Sequence, residues 1–85
     1  MELKEQFEAA VTNSKILAQK PANDVLLNLY SLYKQASLGD VSNDSPTKPF
    51  DFVARAKYDA WEELKGISKE DAMQQYIDLV NSLKG

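Results

Sequence analysis

The sequence predicts an all-α fold, a four-helix bundle with one long crossover between its second and third helices. Three observations predict it. Apolar residues recur at helical spacing in four separate stretches, turn formers gather between them, and no stretch alternates with the two-residue period of a strand. At 85 residues the chain makes a single domain, residues 1–85, with room for one small core.

In the first helix, expected from about Glu2 to Ala18, Leu3, Phe7, Ala10, Val11, Ser14 and Leu17 share a face. Lys20-Pro21 interrupts the pattern, and Asn23 or Asp24 can cap the second helix. That helix is expected from Asn23 to Leu38, stopped by Gly39. Val25, Leu29, Leu32 and Ala36 form a stripe suited to a core, while Leu26, Leu27, Tyr30, Tyr33 and Lys34 occupy the adjacent flank. A surface helix needs an apolar stripe only a little wider than ~100°, so the extra flank needs another use.

Residues 39–50 are rich in turn formers and read as a long loop. At ~3.3 Å per residue it can travel the height of a helix, so helices two and three can run parallel. Asp51 is the expected N-cap of the third helix, Phe52 to Leu64, whose Phe52, Val53, Ala56, Ala60, Trp61 and Leu64 lie on one broad face with Lys57 inside it. Lys65-Gly66 ends it, and Ser68-Lys69-Glu70-Asp71 has the plan of a capping box. In the fourth helix Ala72, Met73, Tyr76, Ile77, Leu79, Val80 and Leu83 form the stripe.

Composition narrows the function classes. The chain has no cysteine and no histidine, which removes disulfides, thiolate chemistry, the commonest general base and the commonest metal ligand. No metal-ligand cluster, Gly-rich phosphate loop or nucleophile elbow is present, and Glu62, Glu63, Glu70 and Asp71 read as caps and solvated faces, so the chain is not expected to be an enzyme or to carry a cofactor. A net charge of −3 argues against general nucleic-acid binding. The acidic amino terminus lacks the plan of a signal peptide and no apolar run approaches a membrane span, so a cytoplasmic, free-standing monomer is the default expectation.

Against this acidic background, aromatic and cationic groups are concentrated at Tyr30, Tyr33 and Lys34 on one helix and at Lys57, Tyr58 and Trp61 on another. Two readings stand for the first group. It is a platform on which a ring stacks while phenol and ammonium groups hold phosphate, or it is a helix edge with phenols at the water line and a snorkelling lysine. Lys57 loses hydration inside an apolar arc unless an anion compensates it, or else it too snorkels. Lys15 stands on the shoulder of the first helix as a solvated charge. Phe7, Trp61, Tyr76, Val80 and Leu83 read as core, although the Tyr76 phenol could reach a cavity while its ring packs. The same aromatic and basic face would also suit a helical protein-protein interaction module that docks an acidic peptide.

The ordered set Lys20-Pro21, Leu29-Tyr30-Ser31-Leu32-Tyr33-Lys34-Gln35-Ala36, Gly39-Asp40, Ala56-Lys57-Tyr58-Asp59-Ala60-Trp61, Leu64-Lys65-Gly66 and Ser68-Lys69-Glu70-Asp71-Ala72-Met73 closely resembles the acyl-CoA-binding protein family, from Phe7 to Leu83. The resemblance implies an up-down-down-up bundle that binds medium- to long-chain acyl-CoA without chemical change. Such a protein serves lipid transport and fatty-acid metabolism as a pool former and carrier, with transient contact with membranes or acyl-CoA-using enzymes. Carried over by position, Tyr33 would stack on the adenine, and Tyr30, Lys34 and Lys57 would hold the ribose 3′-phosphate. Lys15 would add charge, Tyr76 would add a contact from the fourth helix, and Phe7, Ala10, Leu26 and Leu27 would border the acyl-chain groove. The chain departs from the family pattern at Tyr58, usually tryptophan, at Ser45, where many members have arginine, and at Thr47-Lys48-Pro49, which lengthens the crossover.

Overall fold

The computed structural model describes residues 2–17, 20–41 and 52–84. Its described residues form four helices, α1 (Leu3–Ser14), α2 (Asn23–Leu38), α3 (Phe52–Glu62) and α4 (Lys69–Lys84), and no strand. The expected cap at Asp51 and the departures at Ser45 and Thr47-Lys48-Pro49 lie outside the described residues.

Local chemistry explains the helix ends. The Ser68 hydroxyl accepts the Asp71 amide at 3.0 Å, satisfying one orphan donor of α4, and Glu70 and Asp71 complement the positive end of its dipole. At α2 the expectation is corrected by one residue. Ala22, in extended conformation, is the N-cap, because its carbonyl accepts the Leu26 amide at 3.0 Å and closes the first turn ahead of Asn23 and Asp24. Asp24 instead accepts the neighbouring Val25 amide at 2.9 Å. Helix α1 stops at Ser14, short of the expected end, because the Thr12 and Ser14 hydroxyls bond back to the Glu8 and Val11 carbonyls and the last amides tighten onto carbonyls three residues back. Helix α3 ends at Glu62 through the same tightening at Leu64 and Lys65.

The topology follows from which ends meet. Asn23 and Leu26 of α2 share a groove with Phe52 and Val53 of α3, while Trp61 reaches Gln35 and Gly39, so α2 and α3 run parallel. Tyr33 and Ser37 lie near Lys69 and Met73 whereas Asn28 lies near Asp78 and Leu79, so α4 is antiparallel to α2. Lys4 faces the first turns of α4 and Ser14 meets Tyr76, which sets α1 parallel to α4. The order is therefore up, down, down, up. Helix α4 packs on both α1 and α2, and α3 packs on α2.

The core gathers where α4 meets its two partners: Phe7 and Ala10, Leu29, Leu32 and Ala36, and Ala72, Tyr76, Ile77 and Val80. These are the stripes that the helical period predicts. Helix α3 departs from expectation. None of its residues is fully buried, and Phe52 and Val53 remain 79% and 64% exposed, because α2 is its only packing partner among the described helices.

A polar clasp joins the C-terminal ends of α2 and α3 to the turn before α4. Gln35, fully buried, donates from Nε2 to Asp40 Oδ1 at 2.9 Å and to the Ile67 carbonyl at 2.7 Å. Its Oε1 accepts the Trp61 indole N–H at 3.1 Å, which is shared with the Gly39 carbonyl at 3.0 Å. Asp40 Oδ1 also accepts the Gly66 amide at 2.8 Å.

Gly39 sits at φ 82°, ψ −150°, a region open to glycine and hardly to other residues. An added Cβ would also touch Lys69 Cε at 3.4 Å. Gly39→Ala is expected to cost about 1–3 kcal/mol in urea unfolding. An unchanged midpoint would show that the turn relaxes freely.

The Asp40 carboxyl titrates below its ordinary value of 3.8, chiefly because it accepts the Gly66 amide and then the Gln35 amide, with Lys65 assisting against desolvation. A depressed carboxyl adds stability above that ordinary value and loses it as pH falls through its own lower value. Asp40→Asn keeps an oxygen for both donors and removes the titration. It is expected to flatten the loss of thermal stability on acidification, read by melting at a series of acidic pH values; an identical acid profile would assign that loss to other carboxylates.

Candidate functional site

Tyr30 is the pivot of the site. It lies on the flank of α2 that faces α3, half-buried, and two ammonium groups stand against its ring: Lys57 Nζ at 5.1 Å from the centroid and Lys34 Nζ at 5.7 Å. Lys34 follows Tyr30 by one helical turn, and Lys57 arrives from α3 because α3 packs parallel to α2. Lys34 also lies 6.0 Å from the ring of Trp61. The Tyr30 ring attracts both cations, which places each of them against the same aromatic side chain. Among the described residues the one ion pair is Arg55 with Asp59, so neither lysine is neutralised by a described carboxylate. Ammonium groups beside a phenol are the kinds of donor that bind a phosphate through charge-assisted hydrogen bonds.

Immediately beyond Lys57 the surface turns apolar. Asn23, Leu26 and Leu27 of α2 and Phe52, Val53, Ala56 and Lys57 of α3 line an open groove of about 410 Å³. This accounts for the width of the α2 flank: Leu26 and Leu27 lie outside the buried core and make one wall of a trough that an alkyl chain can fill. Cationic and apolar parts are continuous through Lys57.

Tyr33 stands on the opposite side of the ridge. It is 41% exposed and stacks on Phe7 with centroids 6.0 Å apart and planes at 26°. The ring is thus backed by an aromatic neighbour while part of it stays open, an arrangement suited to stacking a planar base. The two rings border a second open groove of about 510 Å³, together with Lys4, Glu8 and Val11, Ser37, Lys69 and Met73.

The residues singled out in the sequence are therefore distributed. Tyr30, Lys34 and Lys57 come together, with Leu26 and Leu27 adjoining them. Ala10 is 4% exposed and belongs to the core, and Phe7, 6% exposed, meets Tyr76 edge-on at 5.2 Å, so these two do not share the groove of Leu26 and Leu27. Tyr76 is 4% exposed, and its hydroxyl donates to Ser14 Oγ at 3.0 Å. Lys15 is the exposed C-cap of α1, next to that contact. Trp61 was read in the sequence as core and instead backs Lys34, while Phe52 and Val53, placed by the sequence on one broad face of the third helix, edge the groove. Their periodicity fits both roles, and only the number of helices packed on α3 separates them. Among the described residues no group of acidic side chains could hold a metal ion, and no helix is long and apolar enough to cross a membrane.

Comparison with known proteins bears on the family and the fold. Residues 4–80 match the family model described as Acyl CoA binding protein. The chain is 44% identical over 77 residues to Acyl-CoA-binding protein homolog 1 of Caenorhabditis elegans, covering 91% of this chain and 88% of that one. It is 48% identical over 79 residues to Enoyl-CoA delta isomerase 2 of Rattus norvegicus, where the match takes in 93% of this chain but 20% of the isomerase. The crystal structure of Oryza sativa Acyl-CoA-Binding Protein 2 superposes with a TM-score of 0.90 at 41% identity, covering 96% of this chain and 90% of that one.

Proposed function

The chain belongs to the acyl-CoA-binding protein family, and from that premise we propose that it binds medium- to long-chain acyl-CoA esters without chemical change, as an intracellular pool former and carrier in lipid metabolism. The observation that carries this reading is the convergence of Lys34 and Lys57 on Tyr30 beside the groove of Leu26 and Leu27. In this reading the cationic cluster holds the ribose 3′-phosphate, Tyr33 stacks on the adenine, and the alkyl chain lies between α2 and α3. Lys15 and Tyr76 add headgroup contacts from the far side. Tyr76 Oη donates to Ser14 and keeps lone pairs with which to accept.

The ligand is acyl-CoA and no cofactor takes part. The chain acts as a monomer in the cytoplasm, with transient contact to membranes or to acyl-CoA-using enzymes. The isomerase chemistry named for the rat relative is not extended to this chain, which spans a fifth of that protein and has neither histidine nor cysteine. The reading as a protein-docking module is not favoured by membership of a ligand-binding family.

The two parts of the ligand draw on different forces. Each buried methylene contributes up to ~0.8 kcal/mol, so eight further carbons add at most roughly 6 kcal/mol, less in an open groove. Charge-assisted hydrogen bonds to phosphate contribute about 1.5–3 kcal/mol each. Titration calorimetry with palmitoyl-CoA, octanoyl-CoA, free CoA and palmitate, each below its micelle concentration, tests the two-part site. The expected result is tight one-to-one binding of the long ester, weaker binding of the short one, and far weaker binding of either half alone. Palmitate bound as tightly as its CoA ester would overturn the assignment.

A further inference from the structure

Lys34 has two rings against it, and they come from different helices. Its Nζ is 5.7 Å from the centroid of Tyr30 on α2 and 6.0 Å from that of Trp61, at the end of α3. The Trp61 ring is itself held. Its indole N–H is shared between Gln35 Oε1 at 3.1 Å and the Gly39 carbonyl at 3.0 Å, and Gln35 is fully buried, with its Nε2 bonded to Asp40 and to the Ile67 carbonyl. One indole thus meets two consecutive residues of α2, the amide of Gln35 through its N–H and the ammonium of Lys34 through its ring. The contacts run from a buried amide, through a half-buried indole, to a half-buried cation on a long stem.

We propose that Trp61 is a positioning residue of the phosphate site: its ring restrains the Lys34 ammonium beside Tyr30 before a ligand arrives, and its N–H bonds to Gln35 and Gly39 keep the ring in place. The proposal rests on the acyl-CoA reading, in which Lys34 holds the ribose 3′-phosphate. A lysine loses much rotamer freedom when it closes on a ligand, and restraint in the free protein removes part of that cost from binding. Tryptophan has the strongest cation–π attraction of the aromatic side chains. An ammonium has three N–H donors, and a ring attracts its charge without consuming them all, so phosphate oxygens can still be served. The polar clasp then acts in binding as well as in stability.

Two measurements test this. The first needs no ligand. Nuclear Overhauser contacts are expected in the wild-type protein between the Lys34 ε-methylene and the Trp61 ring protons, with the methylene resonance moved upfield by the rings. Absence of those contacts overturns the proposal. The second is a double-mutant cycle read by calorimetry with a long-chain acyl-CoA and its 3′-dephospho counterpart. Trp61→Leu should weaken the complete ester by roughly 2- to 30-fold, the range spanned by one cation–π contact, and leave the dephospho ester nearly unchanged. Trp61→Phe loses the same N–H bonds but keeps a ring, and should recover part of the affinity. In a Lys34→Met background, Trp61→Leu should cost no further affinity. Equal losses for the two esters, equal affinities for Trp61→Leu and Trp61→Phe, or an undiminished further loss in the Lys34→Met background would each show that Trp61 acts through the fold, and each overturns the positioning role. If Trp61→Leu does not fold, the Overhauser contacts of the wild type decide alone. Wild-type binding of the complete ester separates the two claims. Intact binding with any overturning result rejects the role of Trp61 alone, and wild-type protein that binds neither ester rejects the acyl-CoA reading and this role with it.

Discussion

Lys57→Ala should weaken a long-chain acyl-CoA ester by roughly 10- to 150-fold, the range that corresponds to one charge-assisted hydrogen bond to phosphate, while weakening the 3′-dephospho ester only a few-fold. The argument is geometric. Lys57 Nζ stands 5.1 Å from the Tyr30 centroid and Lys34 Nζ 5.7 Å from it, so both cations lie against the same phenol. A phosphate monoester with charge near −2 satisfies both together, and an ester lacking that group gives Lys57 little to hold. Because Lys57 is half-buried on a helix with no fully buried residue, its removal leaves the core unchanged, and the far-ultraviolet circular dichroism and melting temperature should stay near wild type. Calorimetry on both esters reads the result. Equal losses for the two would move Lys57 from the phosphate to the acyl groove, whose lining it also joins.

Gln35→Glu should cost about 3–5 kcal/mol of stability near neutral pH, since it leaves a buried charge without compensation. For a domain of this size such a loss lowers the melting temperature by roughly 15–30 °C. The side-chain volume hardly changes, so packing is not the cause. The native amide gives both of its used hydrogens to oxygens, Asp40 Oδ1 and the Ile67 carbonyl, and a carboxylate in its place turns both contacts into repulsion. The acceptor function toward Trp61 survives, which isolates the effect to the donor side. Burial beside Asp40 raises the pKa of the introduced carboxyl, and once protonated it can donate again. Mild acidification, above the range in which Asp40 itself titrates, should therefore restore part of the lost stability. Gln35→Ala, which cannot recover in this way, is the comparison. A deficit independent of pH and equal to that of Gln35→Ala would show that the polar clasp acts by shape and not by charge.

Much of this was legible before any coordinates, and the limits of that legibility are physical. The 3.6-residue period fixes which residues of α2 and α4 face inward, since a helix turns the same way whatever it packs on, and Gly39 and Ser68 mark their ends by backbone and capping chemistry local to the chain. The ends of α1 and α3 were read too far along, at Ala18 and Leu64, because hydroxyl back-bonding and tightened last turns depend on competition among nearby hydrogen bonds that apolar spacing does not register. The width of the α2 flank signalled a second use for Leu26, Leu27, Tyr30, Tyr33 and Lys34.

What the sequence determined by itself is a four-helix domain without cysteine or histidine, a core stripe on each of α1, α2 and α4, and a set of aromatic and cationic residues fit for an anionic, ring-bearing ligand. What only the tertiary structure decided is partnership. Lys57 and Tyr30 meet because α3 lies parallel to α2, Phe7 and Ala10 go to the core because α4 covers them, and Phe52 and Val53 stay in water because no other described helix packs on α3. Gln35 shows the division most clearly. Its place on the wheel beside Ala36 points it inward, but whether a buried amide stabilises or destabilises rests on Asp40, Ile67 and Trp61, which come from other parts of the chain. Periodicity is a property of one helix, whereas burial and hydrogen-bond satisfaction are properties of at least two.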